Sequence, residues 1–259
     1  MTSGSGGSPS RRRRGRVGYR DIAELDADLI DCRACPRLVA WREKVAREKR
    51  AAFMDWEYWG RPVPGFGPAD SRMLILGLAP AAHGANRTGR MFTGDQSGDV
   101  LFRALYDVGL ASQPTVSSAD DGMELFGVRM TSPVHCAPPQ NKPTTAERDR
   151  CAHWLRAELD LLEPTLRSVV VLGGFGWQVG LRTFAEVGWE IGRPRPKFGH
   201  GARTAIRRAD GAELTVFASY HVSQHNTFTG RLTPAMLRTV LVEAGRHAGL
   251  PARDRTIDG

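Results

Sequence analysis

Four cysteines are the first residues whose type and spacing suggest chemistry: Cys32 and Cys35, two residues apart, and the distant Cys136 and Cys151. A Cys-x-x-Cys pair brings two thiolates to one site across a tight turn, and the other two could complete a four-thiolate set. Such a set suits either Zn²⁺ or a [4Fe–4S] cluster, and spacing does not separate them. Four ordinary buried cysteines are the plainer alternative. Two disulfides would suit a secreted chain, but the first residues, MTSGSGGSPSRRRRGR, lack the apolar middle of a secretory signal. A metal or redox site in a cytoplasmic protein is therefore expected.

A second constellation runs from Gly77 to Gly98, GLAPAAHGANRTGRMFTGDQSG. Glycines after a strand let backbone N–H groups approach a ligand closely. The Gly-Lys-Ser/Thr ending of a phosphate loop is missing, as is a dinucleotide fingerprint. Asp95 is its one carboxylate, suited to positioning water, and Phe92 its one aromatic, suited to stacking on a base. The bland readings make Asp95 a turn former and Phe92 a core residue. A third constellation is Ser219 to Arg231, SYHVSQHNTFTGR. His221 there could hydrogen-bond developing negative charge. The Asn-Thr-Phe-Thr-Gly-Arg that follows could wedge an apolar side chain into a duplex beside a phosphate-binding Arg.

Elements must position these groups. Met73-Leu-Ile-Leu is a short continuous apolar run, as expected of a strand buried on both faces, Ser168-Val-Val-Val-Leu reads as another, and Val128-Arg-Met-Thr and Leu214-Thr-Val-Phe-Ala-Ser are further strand candidates. Helical spacing marks Ile22–Leu29, Leu38 to about Lys49, Asp99–Val108 with Asp99 as N-cap, Thr144/Thr145 to Asp160, and Pro234 to about Ala248. Gly173–Gly176 reads as a turn, and His221–Arg231 as a loop. Strands alternating with helices argue for an α/β fold with a mainly parallel sheet. Its ligands belong at the carboxyl ends of the strands. A basic disordered tail (1–18) precedes one domain (19–259).

Thirty-six Lys and Arg against 28 Asp and Glu give a net charge of +8, which makes a polyanion such as DNA a reasonable partner. A high-GC genome favouring Arg codons would leave the same excess. No run approaches the eighteen or so apolar residues of a membrane helix.

Together the three segments resemble the uracil-DNA glycosylase superfamily, and within it the family-five branch of iron–sulfur enzymes. The resemblance rests on the Gly77–Arg90 loop with Phe92-Thr-Gly-Asp95, on Cys136-Ala-Pro-Pro-Gln-Asn-Lys-Pro, and on His221-Val-Ser-Gln-His-Asn-Thr. It implies a three-layer α/β/α sandwich, a [4Fe–4S] cluster on Cys32, Cys35, Cys136 and Cys151, and flipping of a damaged base out of single- or double-stranded DNA. It implies a monomer acting in the cytoplasm, at the nucleoid. By the same resemblance Phe92 stacks on the base, and the amides around Ala79, Ala81 and Ala82 face its carbonyl. His221 stabilises the departing base, and Asp95 positions water or stabilises the sugar cation with Asn141 assisting. Ser223 and Asn226 hold phosphate, and the Phe228–Arg231 loop fills the gap. No lysine of the motifs is an obvious Schiff-base nucleophile, so a monofunctional enzyme is expected.

Two positions depart from the related family-four pattern. Leu78 stands where those enzymes carry a carboxylate, which shifts weight onto Asp95. Ser132 stands where they carry an Asn that reads the uracil edge, which implies a less selective pocket open to hypoxanthine, xanthine and modified cytosines. The bland counterpart to this reading is a non-catalytic, metal-containing DNA-binding module.

Overall fold

Met73–Leu76 (β1), Val128–Thr131 (β2) and Ser168–Leu172 (β3) are buried along their whole length, and Glu213–Ser219 (β5) in all but its first residue. Their alternate side chains leave the sheet on opposite faces. Met73, Ile75, Val170, Leu172 and Phe217 join one apolar cluster, while Leu74, Leu76, Val169, Val171, Val216 and Ala218 join another. A sheet with two buried faces needs a layer on each side, so continuous apolar strands and a three-layer arrangement share one cause. In this computed structural model the described residues are 18–256, so all of the expected basic tail but Gly18 lies outside them.

The sheet runs β2-β1-β3-β5-β4. β1 pairs in parallel with β2 and β3, and β3 with β5. The edge strand Arg203–Arg207 (β4) pairs antiparallel with β5. Sequence reasoning missed β4, because Ile206 is its one fully buried residue and arginines stand at both ends. Charged side chains of that kind discourage further strands from adding to an edge.

Helix α4 (Gln96–Asp107) packs against α8 (Pro234–His247), which covers β3 and β5. On the other face α5 (Thr145–Leu162) contacts α1 (Ile22–Leu29) and α6 (Gly174–Glu186). The expected cap of α5 is present as a full capping box: Thr144 accepts from the Glu147 amide, and the Glu147 carboxylate accepts from the Thr144 amide. Two helix starts differ from expectation. α4 begins at Gln96 with Asp95, not Asp99, as its N-cap. The Gly173–Gly176 turn is the opening of α6, whose glycine-rich first turn disguises the helix. α2 (Pro36–Glu48), α3 (Ala85–Thr88) and α7 (Gln224–Phe228) complete the helices used below. Among the described residues no helix is long and apolar enough to cross a membrane.

Candidate active site

Beyond the carboxyl ends of β1, β2 and β5 lies a cavity of about 340 Å³. The loop after β1 contributes Leu78, Ala79, Pro80 and Ala81, followed by Phe92 and Asp95. Ser132 enters after β2, Asn141 from the short turn Pro139–Asn141, and His221 and Ser223 from the loop after β5. Larger hollows lie at the amino ends of β3 and β5, beside Glu163 and Arg167 (about 570 Å³), and along the outer side of β2, beside Phe66 and Arg129 (about 640 Å³). Neither gathers an acid, an amide and an imidazole, and ligands of open α/β sheets bind at the carboxyl edge.

The ring of Phe92 lies against the end of β1 because Gly77 has no side chain; an added Cβ would come 2.7 Å from Phe92 Cζ. Phe92 itself holds a left-handed φ of 54°, which is costly for a bulky residue and is found where surrounding structure imposes it at functional sites. Asp95 Oδ1 accepts the Gly98 amide at 3.1 Å as the cap of α4. Its Oδ2 packs over Gly84, where any Cβ would collide with it. No backbone bond among the described residues takes the N–H of Ala79, Ala81 or Ala82, so these amides are available to a ligand.

Arg87 braces this loop and was not singled out from sequence, although it stands inside the first motif. Its Nε donates to the His83 carbonyl at 2.9 Å and its Nη2 to the Gly94 carbonyl at 3.0 Å, next to Asp95. The guanidinium lies 3.9 Å from the Phe53 ring centroid and 4.0 Å from that of Trp56. Stacked in this way it fixes the loop that aims Asp95.

Burial holds the His221 imidazole below its ordinary value, with Asp95 pulling weakly the other way. The ring is therefore neutral at neutral pH and keeps one N–H to donate. Asn226 Nδ2 donates to the His221 carbonyl at 2.8 Å. Asn226 thus braces the histidine loop and does not line the cavity, which leaves it one further N–H for the phosphate contact expected of it. Ala82, Phe228 and Arg231 also stand outside the lining. Phe228 ends α7, a short helix inside the expected loop, and is 73% exposed. Arg231 stacks 4.6 Å from the Tyr220 ring centroid. Lys142, next to Asn141, is exposed and absent from the cavity wall.

Cys32 follows α1, Cys35 caps α2, Cys136 follows β2 and Cys151 sits in α5. Arg37 ties α2 to α5 through two 2.8 Å bonds to the Glu147 carboxylate. Arg42 donates to Cys136 Sγ at 2.8 Å and to the Cys32 carbonyl at 3.2 Å. Burial, reinforced by Cys32 and Cys35 and opposed by Arg42, pushes the Cys136 thiol up to about 11, and burial raises Cys151 as well. Among the described residues, no three His, Cys, Asp or Glu side chains form a group able to hold a single metal ion. Trp41 Nε1, Arg42 Nε and Trp154 Nε1, close to these cysteines along the chain, are buried donors without a partner. Asn86 joins the two regions by donating to the carbonyls of Arg42 and Ala82, each at 3.3 Å.

A mostly parallel sheet with a pocket of aromatic, acid, amide and imidazole groups at its carboxyl edge defines an α/β protein with its candidate site at that edge. The family model for the Uracil DNA glycosylase superfamily matches residues 64–244, a span that holds every residue lining the pocket. The chain is 54% identical over 233 residues to a type-5 uracil-DNA glycosylase of Mycobacterium tuberculosis, covering 90% of this chain and 84% of that one. It is 50% identical over 222 residues to a type-5 uracil-DNA glycosylase of Thermus thermophilus, covering 86% and 96%. It is 45% identical over 221 residues to one of Pyrobaculum aerophilum, covering 85% and 91%. The chain belongs to the uracil DNA glycosylase superfamily.

Proposed function

We propose that this DNA glycosylase is monofunctional and hydrolyses the N-glycosidic bond of uracil, and of hypoxanthine, xanthine or modified cytosines, leaving an abasic site for base excision repair. The observation that carries the reading is the meeting of Phe92, Asp95, Asn141 and His221 in one cavity. A flipped base stacks on Phe92, and the free amides of Ala79 and Ala81 face its carbonyl oxygen, with Ala82 behind them in the same loop. The C1′–N bond breaks with its electron pair going to the base. His221, neutral and a donor, stabilises that charge, while Asp95 supports the positive sugar and orients water, with Asn141 assisting. Water adds its oxygen to C1′, and the base leaves with a proton. Ser223 and the remaining N–H of Asn226 hold phosphate, and the Phe228–Arg231 loop fills the space left in the duplex. The protein works as a monomer on DNA in the cytoplasm.

Ser132 supports the broad specificity. Its hydroxyl donates to the Val134 carbonyl at 2.9 Å and does not offer the paired donor and acceptor of an amide. Abasic-site formation is expected on matched duplexes carrying uracil and on those carrying hypoxanthine. Excision of uracil alone would remove the broad specificity and leave the uracil activity standing. Borohydride is expected to trap no protein–DNA adduct. A trapped adduct that disappears in Lys142→Ala would overturn the monofunctional mechanism.

We propose also that Cys32, Cys35, Cys136 and Cys151 hold a [4Fe–4S] cluster. The burial of three of the four thiols supports this reading, as do Arg42, which already donates to Cys136 Sγ, and the unpartnered buried donors of Trp41, Arg42 and Trp154, which suit hydrogen bonds to sulfides. The cluster would supply a rigid anchor: through Arg42 and Asn86 the cysteine region braces the loop that carries Ala82. Purified protein is expected to absorb visible light and to contain about four irons per chain. Stoichiometric zinc without iron would contradict this.

A further inference from the structure

Between α6 and β4 runs Gly192-Arg-Pro-Arg-Pro-Lys-Phe-Gly-His200, a segment that supplies nothing to the pocket wall. Arg193, Arg195 and Lys197 are exposed. No acidic residue occurs in the sequence between Glu190 and Asp210 to neutralise them. Pro194 and Pro196 fix backbone φ and remove two donors, so the alternating cations are carried on a stiff stretch of chain.

The stretch is also pinned at defined points. Trp177 Nε1 donates to the Pro196 carbonyl at 2.9 Å, and the Tyr220 amide donates to His200 Nδ1 at 3.2 Å. Phe198 lies between Trp177 and Tyr220, with ring centroids 6.4 and 6.2 Å away. Tyr220 immediately precedes His221 and carries the Arg231 guanidinium on its face. Phe198 also packs against Gly174, whose neighbour Gly173 meets His221. The aromatic ladder thus ties a row of unpaired cations to the His221 side of the cavity. Exposed and without an ion pair among the described residues, the three cations leave their charge to solvent.

We propose that Arg193, Arg195 and Lys197 form a rim that grips the sugar–phosphate backbone flanking the flipped nucleotide, on the side of the pocket walled by His221. The inference rests on the glycosylase reading, since that reading brings a DNA strand to this edge. Each phosphate neutralised releases counterions, which makes the rim's contribution salt-dependent and indifferent to sequence.

The test compares the full-length chain with Arg193→Ala/Arg195→Ala/Lys197→Ala, leaving the anchors Trp177, Phe198 and His200 in place. Two quantities are read: affinity for an undamaged duplex across a salt series, by fluorescence anisotropy, and the single-turnover rate on a uracil duplex at saturating enzyme. Affinity is expected to fall at least about tenfold, and the slope of log K against log salt to lose up to about 2.7, or about 0.9 for each lost contact. The saturated rate should stay within about twofold, since the rim binds but does not react. Unchanged affinity and slope in a variant that excises normally would overturn the rim and leave the glycosylase reading intact. An unchanged salt slope with a reduced saturated rate would also overturn it, by placing the loop's role in the pocket. If the wild-type chain itself neither binds DNA nor excises uracil, the glycosylase reading fails first.

Discussion

Asparagine at position 95 is expected to leave the protein folded and to slow single-turnover uracil excision by about 10²–10⁴-fold. The fold survives because the structural task of Asp95 is to cap α4, where one side-chain oxygen accepts the Gly98 amide at 3.1 Å. Asn caps a helix about as well as Asp. The reaction suffers because the amide carries no charge to place against a developing sugar cation and takes no proton from water. Few positions separate structure from chemistry so cleanly. Alanine would remove cap and charge together and cost about 1 kcal/mol of stability as well. The thermal midpoint of Asp95→Asn should therefore match the wild type while its rate collapses. Near wild-type excision by Asp95→Asn would move the chemical role elsewhere, with Asn141 the next group in the cavity.

His221→Ala carries the second large effect, about 10²–10³-fold on the same single-turnover rate, the usual cost of losing one aligned donor to a developing anion. The pH dependence has a definite sign. Burial lowers the folded-state value of His221 below its ordinary 6.5, so the ring is neutral at pH 7 and above and gains a proton only further to the acid side. If the neutral ring is the working form, the wild-type rate is flat from pH 7 upward, and loss begins below 6.5. The same depressed value means that the unfolded chain binds the extra proton first, so His221 makes stability fall as pH drops through that window. In His221→Ala the acid limb should vanish with the bulk of the rate. A wild-type rate that rises as pH falls from 7 to 6 would point to the imidazolium instead.

The strands were readable in sequence for a physical reason. Runs such as Met73–Leu76 and residues 169–172 are apolar at every position because both faces of a parallel sheet are covered, and their length of four or five residues suits a strand better than a helix. The pocket groups were readable because each lies in a loop at one sheet edge, where topology brings distant loops together. What escaped notice lacked such a signature. β4 is an edge strand with one fully buried residue, so its alternation has little apolar contrast. α6 opens on glycines that speak for a turn until the packing of its later residues overrides them. The cap of α4 lies four residues before the expected one because Asp95 and Asp99 are equal as caps on paper, and only the tertiary path decides between them.

The bracing was harder still. Arg87 works through two backbone carbonyls and two aromatic rings some thirty positions upstream, a set that periodicity does not register. Asn226 illustrates a different gap. Its residue type fits a phosphate contact, yet its amide already serves the His221 carbonyl, and only geometry reveals that commitment.

The most direct test of the pocket is single-turnover abasic-site formation on a uracil-containing duplex, comparing the wild type with the Asp95→Asn/His221→Ala double variant. The expected result is an alkali-labile site at the uracil position with the wild type, and none above background with the folded double variant. Cleavage by the double variant at the wild-type rate, or none by the folded wild type, would contradict the assignment of the reaction to this cavity.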